Sequence, residues 1–324
     1  MSNHKSLMLA AFFALVVSSA CAQDQFPTKQ VRILVGFTPG SGTDFLARTI
    51  GQKLSETWGQ PVVTENRPGA SGSIAAELVK RSPPDGHTLM VVSNGHALNP
   101  AILSSLPYDT AKDFSGITYL GDVPNILVAS NSLNVKTLKE LIVLIKSKPG
   151  LINYASSGVG TATHLAGEMF KLAAGLDVVH VPFKGSPDAM GSAMGADGNI
   201  HYAFNPISTV ITIIQSGKLT GIALSTKARS PAMPNLPTMA ESGLPGFDFG
   251  GFYALFAAAN TPKQIKDKIA KDVAQALTAP DMVEKLATQG ATPKTTTPEQ
   301  LDAFTKEEMA RMVKIAKAAN IRID

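Results

Sequence analysis

Val31-Arg32-Ile33-Leu34-Val35-Gly36-Phe37-Thr38-Pro39-Gly40-Ser41-Gly42-Thr43-Asp44 decides the fold class. An apolar run of strand length meets a glycine-rich turn. From about Phe45 to Trp58 the spacing then becomes helical, with Leu46, Ile50, Leu54 and Trp58 four residues apart. Gly59 and Pro61 stop that helix, and Pro61-Val62-Val63-Thr64-Glu65 reads as the next strand. The stretch is therefore a βαβ unit.

The pattern returns in mid-chain. Leu151–Ala155 is a short strand, Ser156-Ser157-Gly158-Val159-Gly160-Thr161 is the turn, and Leu165–Ala174 is a helix stopped by Gly175. Asp177–Phe183 is the next strand. Both turns contain Gly-x-Gly-Thr followed shortly by Leu-Ala, which sets Gly40 against Gly158 and predicts one equivalent unit in each of two α/β lobes.

Further α/β elements lie between and after them. Ile74–Lys80 is helical, Thr88–Val92 and Ile126–Ala129 are continuous apolar strands suited to a covered sheet, and Gly221–Ser225 is a late strand. Thr137 and Glu140 form a capping box for a helix to Lys148. Four prolines between Ser230 and Pro245 make that stretch an irregular connection. The chain closes in helices: Pro262 at the first helical position to Thr278, Asp281–Gln289, and one opened by Thr297-Pro298-Glu299-Gln300. With no strand among them, they are expected on the sheet of the first lobe. That makes lobe 1 discontinuous, 23–124 plus 250–324, with lobe 2 at 125–249.

Residues 1–22 read as a signal peptide. Lys5 precedes the apolar run Leu7–Val17, too short to span a bilayer, and Ala20-Cys21-Ala22 offers a cleavage site before Gln23. Lipidation at Cys21 is the competing outcome. Cys21 is the only cysteine, so cleavage after Ala22 leaves no disulfide, thiolate metal site or cysteine nucleophile. The formal charge is +4, its basic residues are scattered, and nucleic acid is not an expected partner.

A glycine-rich strand-to-helix turn exposes unsatisfied helix amides and the positive end of the helix dipole. It can hold an anion without arginine. Two such turns, Thr38–Asp44 and Ser156–Thr161, facing a cleft could clamp a carboxylate, aided by the hydroxyls of Ser41, Thr43, Ser156, Ser157 and Thr161. His164 lies beside the second turn and could reach a ligand. A dinucleotide fingerprint is incomplete, because Phe45 stands where a third glycine belongs, and no G-K-[ST] follows. No G-x-S-x-G elbow, H-E-x-x-H or metal-spaced histidine pair occurs, so no catalytic residue, metal or cofactor is expected. Ser157 and His180 can be imagined as a catalytic pair, but nothing in the sequence supplies the geometry. A secreted α/β hydrolase and a ligand sensor for a membrane receptor remain as alternatives to a transport component.

At these residues the chain resembles the Bug-type substrate-binding proteins of tripartite tricarboxylate transporters. The likeness rests on Val31–Asp44, Pro61–Gly69 (P-V-V-T-E-N-R-P-G), Pro84–Thr88 (P-D-G-H-T), Tyr154–Thr161, His164–Glu168 (H-L-A-G-E) and Val181–Gly185 (V-P-F-K-G). Gly217-Lys218-Leu219, Leu236-Pro237-Thr238 and Gly243-Leu244-Pro245-Gly246 extend it over nearly the whole mature chain. The resemblance implies a two-lobed periplasmic-binding-protein (Venus-flytrap) fold, each lobe a mixed sheet flanked by helices. It implies a monomer in the periplasm that binds a di-, tri- or aromatic carboxylate and delivers it to membrane permease subunits. It assigns the ligand site to Thr38, Gly40, Ser41, Gly42, Thr43 and Asp44 on one side. Ala155, Ser156, Ser157, Gly158 and Thr161 stand on the other, with Ser93-Asn94 at a strand end. Thr38 and Ser41 depart from the family's P-P-G-G-G-T-D. Asn205, in Phe204-Asn205-Pro206, replaces the acid of F-D-N and implies a ligand without an ammonium group. Phe37, Phe204, Phe252 and Tyr253 are candidate walls for an aromatic ligand, or core.

Overall fold

The computed structural model describes residues 26–103, 105–195, 198–288 and 291–318. The segment 1–22 expected to be a signal peptide, with Cys21, lies outside the described residues.

In chain order the elements are β1 (Val31–Val35), α1 (Gly42–Trp58), β2 (Val62–Asn66), α2 (Ser73–Lys80), β3 (Thr88–Ser93), α3 (Gly95–Ile102) and β4 (Phe114–Ser130). Then come α4 (Leu138–Ser147), β5 (Asn153–Ser156), α5 (Ala162–Ala174), β6 (Val179–Pro182), α6 (Ser186–Met194), β7 (Tyr202–Pro206), α7 (Ile207–Gln215) and β8 (Leu219–Leu224). The chain ends with β9 (Gly250–Ala258), α8 (Lys263–Thr278), α9 (Pro280–Thr288), β10 (Thr292–Pro293) and α10 (Pro298–Ala318).

The strands pair in the order β2-β1-β3-β9-β4-β7-β5-β6, with β8 and β10 also on β4. Two five-strand patterns share this path. In lobe 1, β2-β1-β3 are parallel and β9 and the first part of β4 follow antiparallel. In lobe 2, β6-β5-β7 are parallel, followed antiparallel by the rest of β4 and by β8. The fold is thus the two-lobed periplasmic-binding-protein architecture, each lobe a mixed sheet flanked by helices. β4 belongs to both lobes: its partner is β9 as far as Pro124↔Gly250, and from Asn125 its partners are β7 and β8.

Apolar periodicity explains the packing. Ile33, Val35, Leu46, Ile50 and Leu54 share one core with Val273 and Leu277 of α8, all fully or almost fully buried. Met312 and Ala316 of α10 pack with Leu98 of α3 and Phe170, Tyr202 and Phe204 of lobe 2. The last helix therefore touches both lobes.

Some local expectations change. β4 is far longer than Ile126–Ala129, because Gly116, Gly121 and Pro124 interrupt its apolar run while the ladder continues past them through register shifts. The closing segment is not all helix, since β10 pairs with Gly121 and Asp122. Pro262 caps α8 from outside rather than occupying its first turn. The Thr297–Gln300 capping box forms as read, with Gln300 N donating to Thr297 Oγ1 and Thr297 N to Gln300 Oε1. Among the described residues no helix is long and apolar enough to cross a membrane.

Candidate functional site

Two strand–turn–helix units meet at the lobe interface. In the first, Ser41 caps α1: its Oγ accepts from Asp44 N at 3.3 Å, and its carbonyl accepts from Phe45 N at 2.9 Å. In the second, Thr161 caps α5 the same way, accepting from His164 N at 3.4 Å and Leu165 N at 3.0 Å. Each cap leaves the first two amides of its helix without an intrahelical acceptor. Those are Gly42 and Thr43 in one lobe, Ala162 and Thr163 in the other.

The correspondence goes deeper than the shared Gly-x-Gly-Thr string, and its register differs by two residues. Setting Ser41 against Thr161 pairs Gly40 with Gly160, at φ 81° and 75°, the left-handed region open to glycine. Thr43 then matches Thr163, each hydroxyl bonded to its cap at 3.1 and 2.9 Å. Asp44 matches His164: Gly40 N donates to Asp44 Oδ2 at 2.9 Å and Gly160 N to His164 Nδ1 at 3.1 Å.

The two braces differ electrostatically. Burial opposes ionisation of Asp44, but bonds from Arg48 Nε (2.9 Å), Gly40 N and Asn66 Nδ2 (2.9 Å) outweigh it and hold the carboxyl below its ordinary range. Burial pushes His164 down to about 4 against a partial pull from Glu168, so the ring is neutral and its Nδ1 can accept. His164 stacks on His180 at 4.0 Å, and burial, with His164 and Lys171 nearby, pushes His180 down to about 3.

The four residues that carry the open amides line one cavity of about 40 Å³ between the lobes. Ser41, Gly42, Thr43, Asn94, Ser157 and Thr161 line it, as do Ser93, Ala162 and Thr163. Phe37, Val123, Phe252, Tyr253, Pro206 and Gly251 supply apolar wall, with Asn125 and Ser186 completing it. No charged side chain is among these residues. Asn125 Nδ2 is buried without a hydrogen-bond partner. Asn94, fully buried, ties the wall together: its Oδ1 accepts from Phe252 N at 2.8 Å and its Nδ2 donates to Gly250 O at 3.1 Å.

Eight other positions singled out in the sequence stand behind this surface. Asp44 and His164 brace the turns, and Gly40 supplies a turn conformation. Thr38 packs against Gly185 of the opposite lobe, where a Cβ would overlap its Oγ1. Gly158 borders a neighbouring chamber. Ala155 is core, and Ser156, fully buried, bonds His180 Nε2 at 2.7 Å. Asn205 is also fully buried, with Nδ2 3.5 Å from Met190 Sδ. Of the candidate aromatic walls, Phe37, Phe252 and Tyr253 line the cavity, whereas Phe204 stacks on Phe247 in the core. Ser157 does not meet His180; its hydroxyl lies 2.9 Å from Thr163 Oγ1.

The reading of single motifs missed Asn125, Ala162, Thr163 and Ser186. Thr163 was legible once Ser41-x-Thr43 is set against Thr161-x-Thr163. Asn125 has no local signal beyond its place after Pro124. Among the described residues no cluster of histidine, cysteine and acid side chains could hold a metal.

Comparison with known proteins bears on this geometry. The family model for the tripartite tricarboxylate transporter family receptor matches residues 46–321. The chain belongs to that family. Receptors of the tripartite tricarboxylate transporter family are periplasmic substrate-binding proteins, not enzymes. R. palustris Rpa4515 with adipate is 34% identical, with a TM-score of 0.89 over 92% of this chain and 99% of that one. Periplasmic binding protein BugD is 30% identical, at a TM-score of 0.87 over 92% and 99%. MatC from Rhodopseudomonas palustris with bound malate is 31% identical, at 0.84 over 90% and 99%.

Proposed function

We propose that this protein is a periplasmic receptor that captures a small di-, tri- or aromatic carboxylate and presents it to membrane permease subunits of a tripartite tricarboxylate-type transporter. It is exported by its signal peptide, acts as a monomer, and catalyses no reaction. The observation that carries this reading is the meeting of two helix N-termini in one cavity with no charged side chain on its walls. Four amides, the unpaired Asn125 Nδ2, and one hydroxyl hydrogen from each of the Ser41–Thr43 and Ser157–Thr163 pairs are donors available to an anion, whereas the Thr161 hydroxyl donates to Gly158 O at 2.7 Å. Each helix end contributes about 0.3–1 kcal/mol exposed and up to about 2 kcal/mol partly buried, so affinity needs both lobes and the exclusion of water. The carboxylates bound by Rpa4515 and MatC support the ligand class.

The ligand carries no ammonium group. No wall residue is an acid that could pair with one, and Asn205 puts no charge behind the wall. The lobes, 23–124 plus 250–324 and 125–249, hinge where β4 changes partners at Pro124 and Asn125 and where the chain returns at Gly250. Lobe closure joins the half-sites.

The test is calorimetric titration of the chain from Gln23 with aliphatic and aromatic carboxylates, aspartate and nucleotides. One carboxylate class should bind, and Asn125→Leu should weaken it about tenfold, the worth of one hydrogen bond to a charged group. Binding of nucleotides alone, or of aspartate in preference to its ammonium-free analogues, overturns the assignment.

A further inference from the structure

No charged side chain lines the cavity, yet a buried negative charge stands directly behind one of its half-sites. Asp44 follows the open amides of Gly42 and Thr43 in the first turn of α1. It is buried, so water screens it little. The turn depends on its carboxylate, because Gly40 N, Asn66 Nδ2 and Arg48 Nε converge on it at 2.9 Å each. Left alone, that charge would repel a carboxylate seated on the helix end. Asp188, in the first turn of α6, is exposed to water and screened by it.

Arg48 lies one turn further along α1 and opposes the charge of Asp44 at close range. Its Nε donates to Asp44 Oδ1 at 2.9 Å and to Oδ2 at 3.0 Å, and its Nη2 donates to Asn66 Oδ1 at 2.8 Å. The side chain is half exposed and does not line the cavity. Lobe 2 reaches the same balance with different residues. In the register that sets Ser41 against Thr161, Arg48 falls on Glu168. There the brace is the neutral His164, and the acid stands a turn deeper. Glu168 Oε1 accepts from Tyr154 Oη at 2.6 Å, and its Oε2 lies 3.7 Å from Lys171 Nζ. In both units the buried acid behind the open amides is therefore paired with a base.

We infer that Arg48 is a positioning residue of the anion site: without touching the ligand, it neutralises Asp44, so that a carboxylate can brace the turn and the helix end can still receive a negative charge. This rests on the carboxylate reading above and deepens it. A purely structural Arg48, holding Asn66 in place, would need the second bond of its guanidinium and would be indifferent to the charge at position 44.

Calorimetric titration at pH 8 separates the two roles. Malate, adipate, citrate and benzoate are titrated into the unmodified protein, and the tightest binder is the probe for Arg48→Gln, Arg48→Lys and the double variant Asp44→Asn/Arg48→Gln. Arg48→Gln should weaken the probe about ten- to thirtyfold, the repulsion of like unit charges roughly 8–12 Å apart at an effective dielectric of about 20. Arg48→Lys keeps a positive charge four residues from Asp44 but loses the fork that reaches Asn66, and should bind within about threefold of the unmodified protein. The double variant carries no charge at either position, and its new amide oxygen can still accept from Gly40 N. It should also recover to within about threefold. A loss below about threefold in Arg48→Gln, or a double variant or Arg48→Lys as weak as Arg48→Gln, overturns the inference while the carboxylate reading stands. Should Arg48→Gln fail to fold, the other two variants decide: binding kept in both supports the inference, and binding lost in either overturns it. Binding of none of the four carboxylates by the unmodified protein overturns both readings.

Discussion

The two strand–turn–helix units use one bonding plan with different chemistry at its key position. In lobe 1 the turn amide of Gly40 is held by a carboxylate, Asp44, itself held by Arg48 and Asn66. In lobe 2 the amide of Gly160 is held by a neutral imidazole, His164, stacked on His180. A negative brace lies close to one anion half-site, and an uncharged brace lies close to the other. The difference shows that a helix N-terminus can be prepared for an anion by any acceptor that fixes the turn. It also means the half-sites answer differently to acid.

The largest expected effect follows from that. His164 has its folded value depressed from 6.5 to about 4. The stability contributed by its neutral form is complete above pH 6.5 and is lost as pH falls toward 4, because the unfolded chain takes up the proton first. His180 acts in the same direction, while Glu168, with Lys171 at 3.7 Å, faces the pair from α5. Asp44, held below its ordinary value, contributes in full above the ordinary carboxylate range and loses that contribution as pH falls from there toward its lowered folded value. Urea unfolding at pH 7 and pH 4.5 should show that His164→Asn, whose amide oxygen can accept from Gly160, loses about 2–3 kcal/mol less than the unmodified protein. Equal losses would break the contrast between the units.

The second test exploits the first helical position, where the two units differ by one methyl group. Gly42 and Ala162 both open their helices, but a Cβ on Gly42 would overlap the Tyr253 hydroxyl. Ala162 already carries one at the cavity wall. Gly42→Ala should weaken carboxylate binding by about ten- to a hundredfold, or about 1.4–2.7 kcal/mol, by displacing the Tyr253 ring into the cavity. Ala162→Gly should change it by less than about threefold. Similar losses at both would show that the half-sites are sterically alike.

How much of this was legible in the sequence varies with the range of the interaction. The βαβ units, the caps and the glycine turns depend on residues within a few positions of each other, and Val31–Asp44 displays all three. The register between the units was misread by two residues. Gly-x-Gly-Thr is a local string, whereas the true match sets Asp44 against His164, residue types that share only the ability to accept a hydrogen bond. Asn125 and Ser186 reach the cavity through lobe packing, which no local pattern records. Phe204 and Phe252 look alike in sequence. β7 stacks Phe204 on Phe247, whereas β9 packs the Phe252 ring against Tyr119 and Phe304 and leaves that residue at the edge of the cavity.

The smallest expected effect concerns how the two units are held together. Residues Gly69 to Gly72 of lobe 1 all have positive φ, including Ala70 at 43° and Ser71 at 54°. The side chain of Ser71 donates to Val159 O in the second turn, while its own carbonyl accepts from Asn99 Nδ2 at 3.3 Å. Non-glycine residues in that conformation are strained, so the loop needs a compensating contact. The closed arrangement provides one across the cleft. Ser71→Ala removes that bond without disturbing either helix N-terminus. It should leave folding stability near that of the unmodified protein and raise the ligand off-rate about two- to tenfold, the kinetic equivalent of roughly 0.5–1.5 kcal/mol. Stopped-flow dissociation measures it. An unchanged off-rate would mean that closure depends on the ligand and the two helix termini alone, and that the left-handed loop is only a way of starting α2.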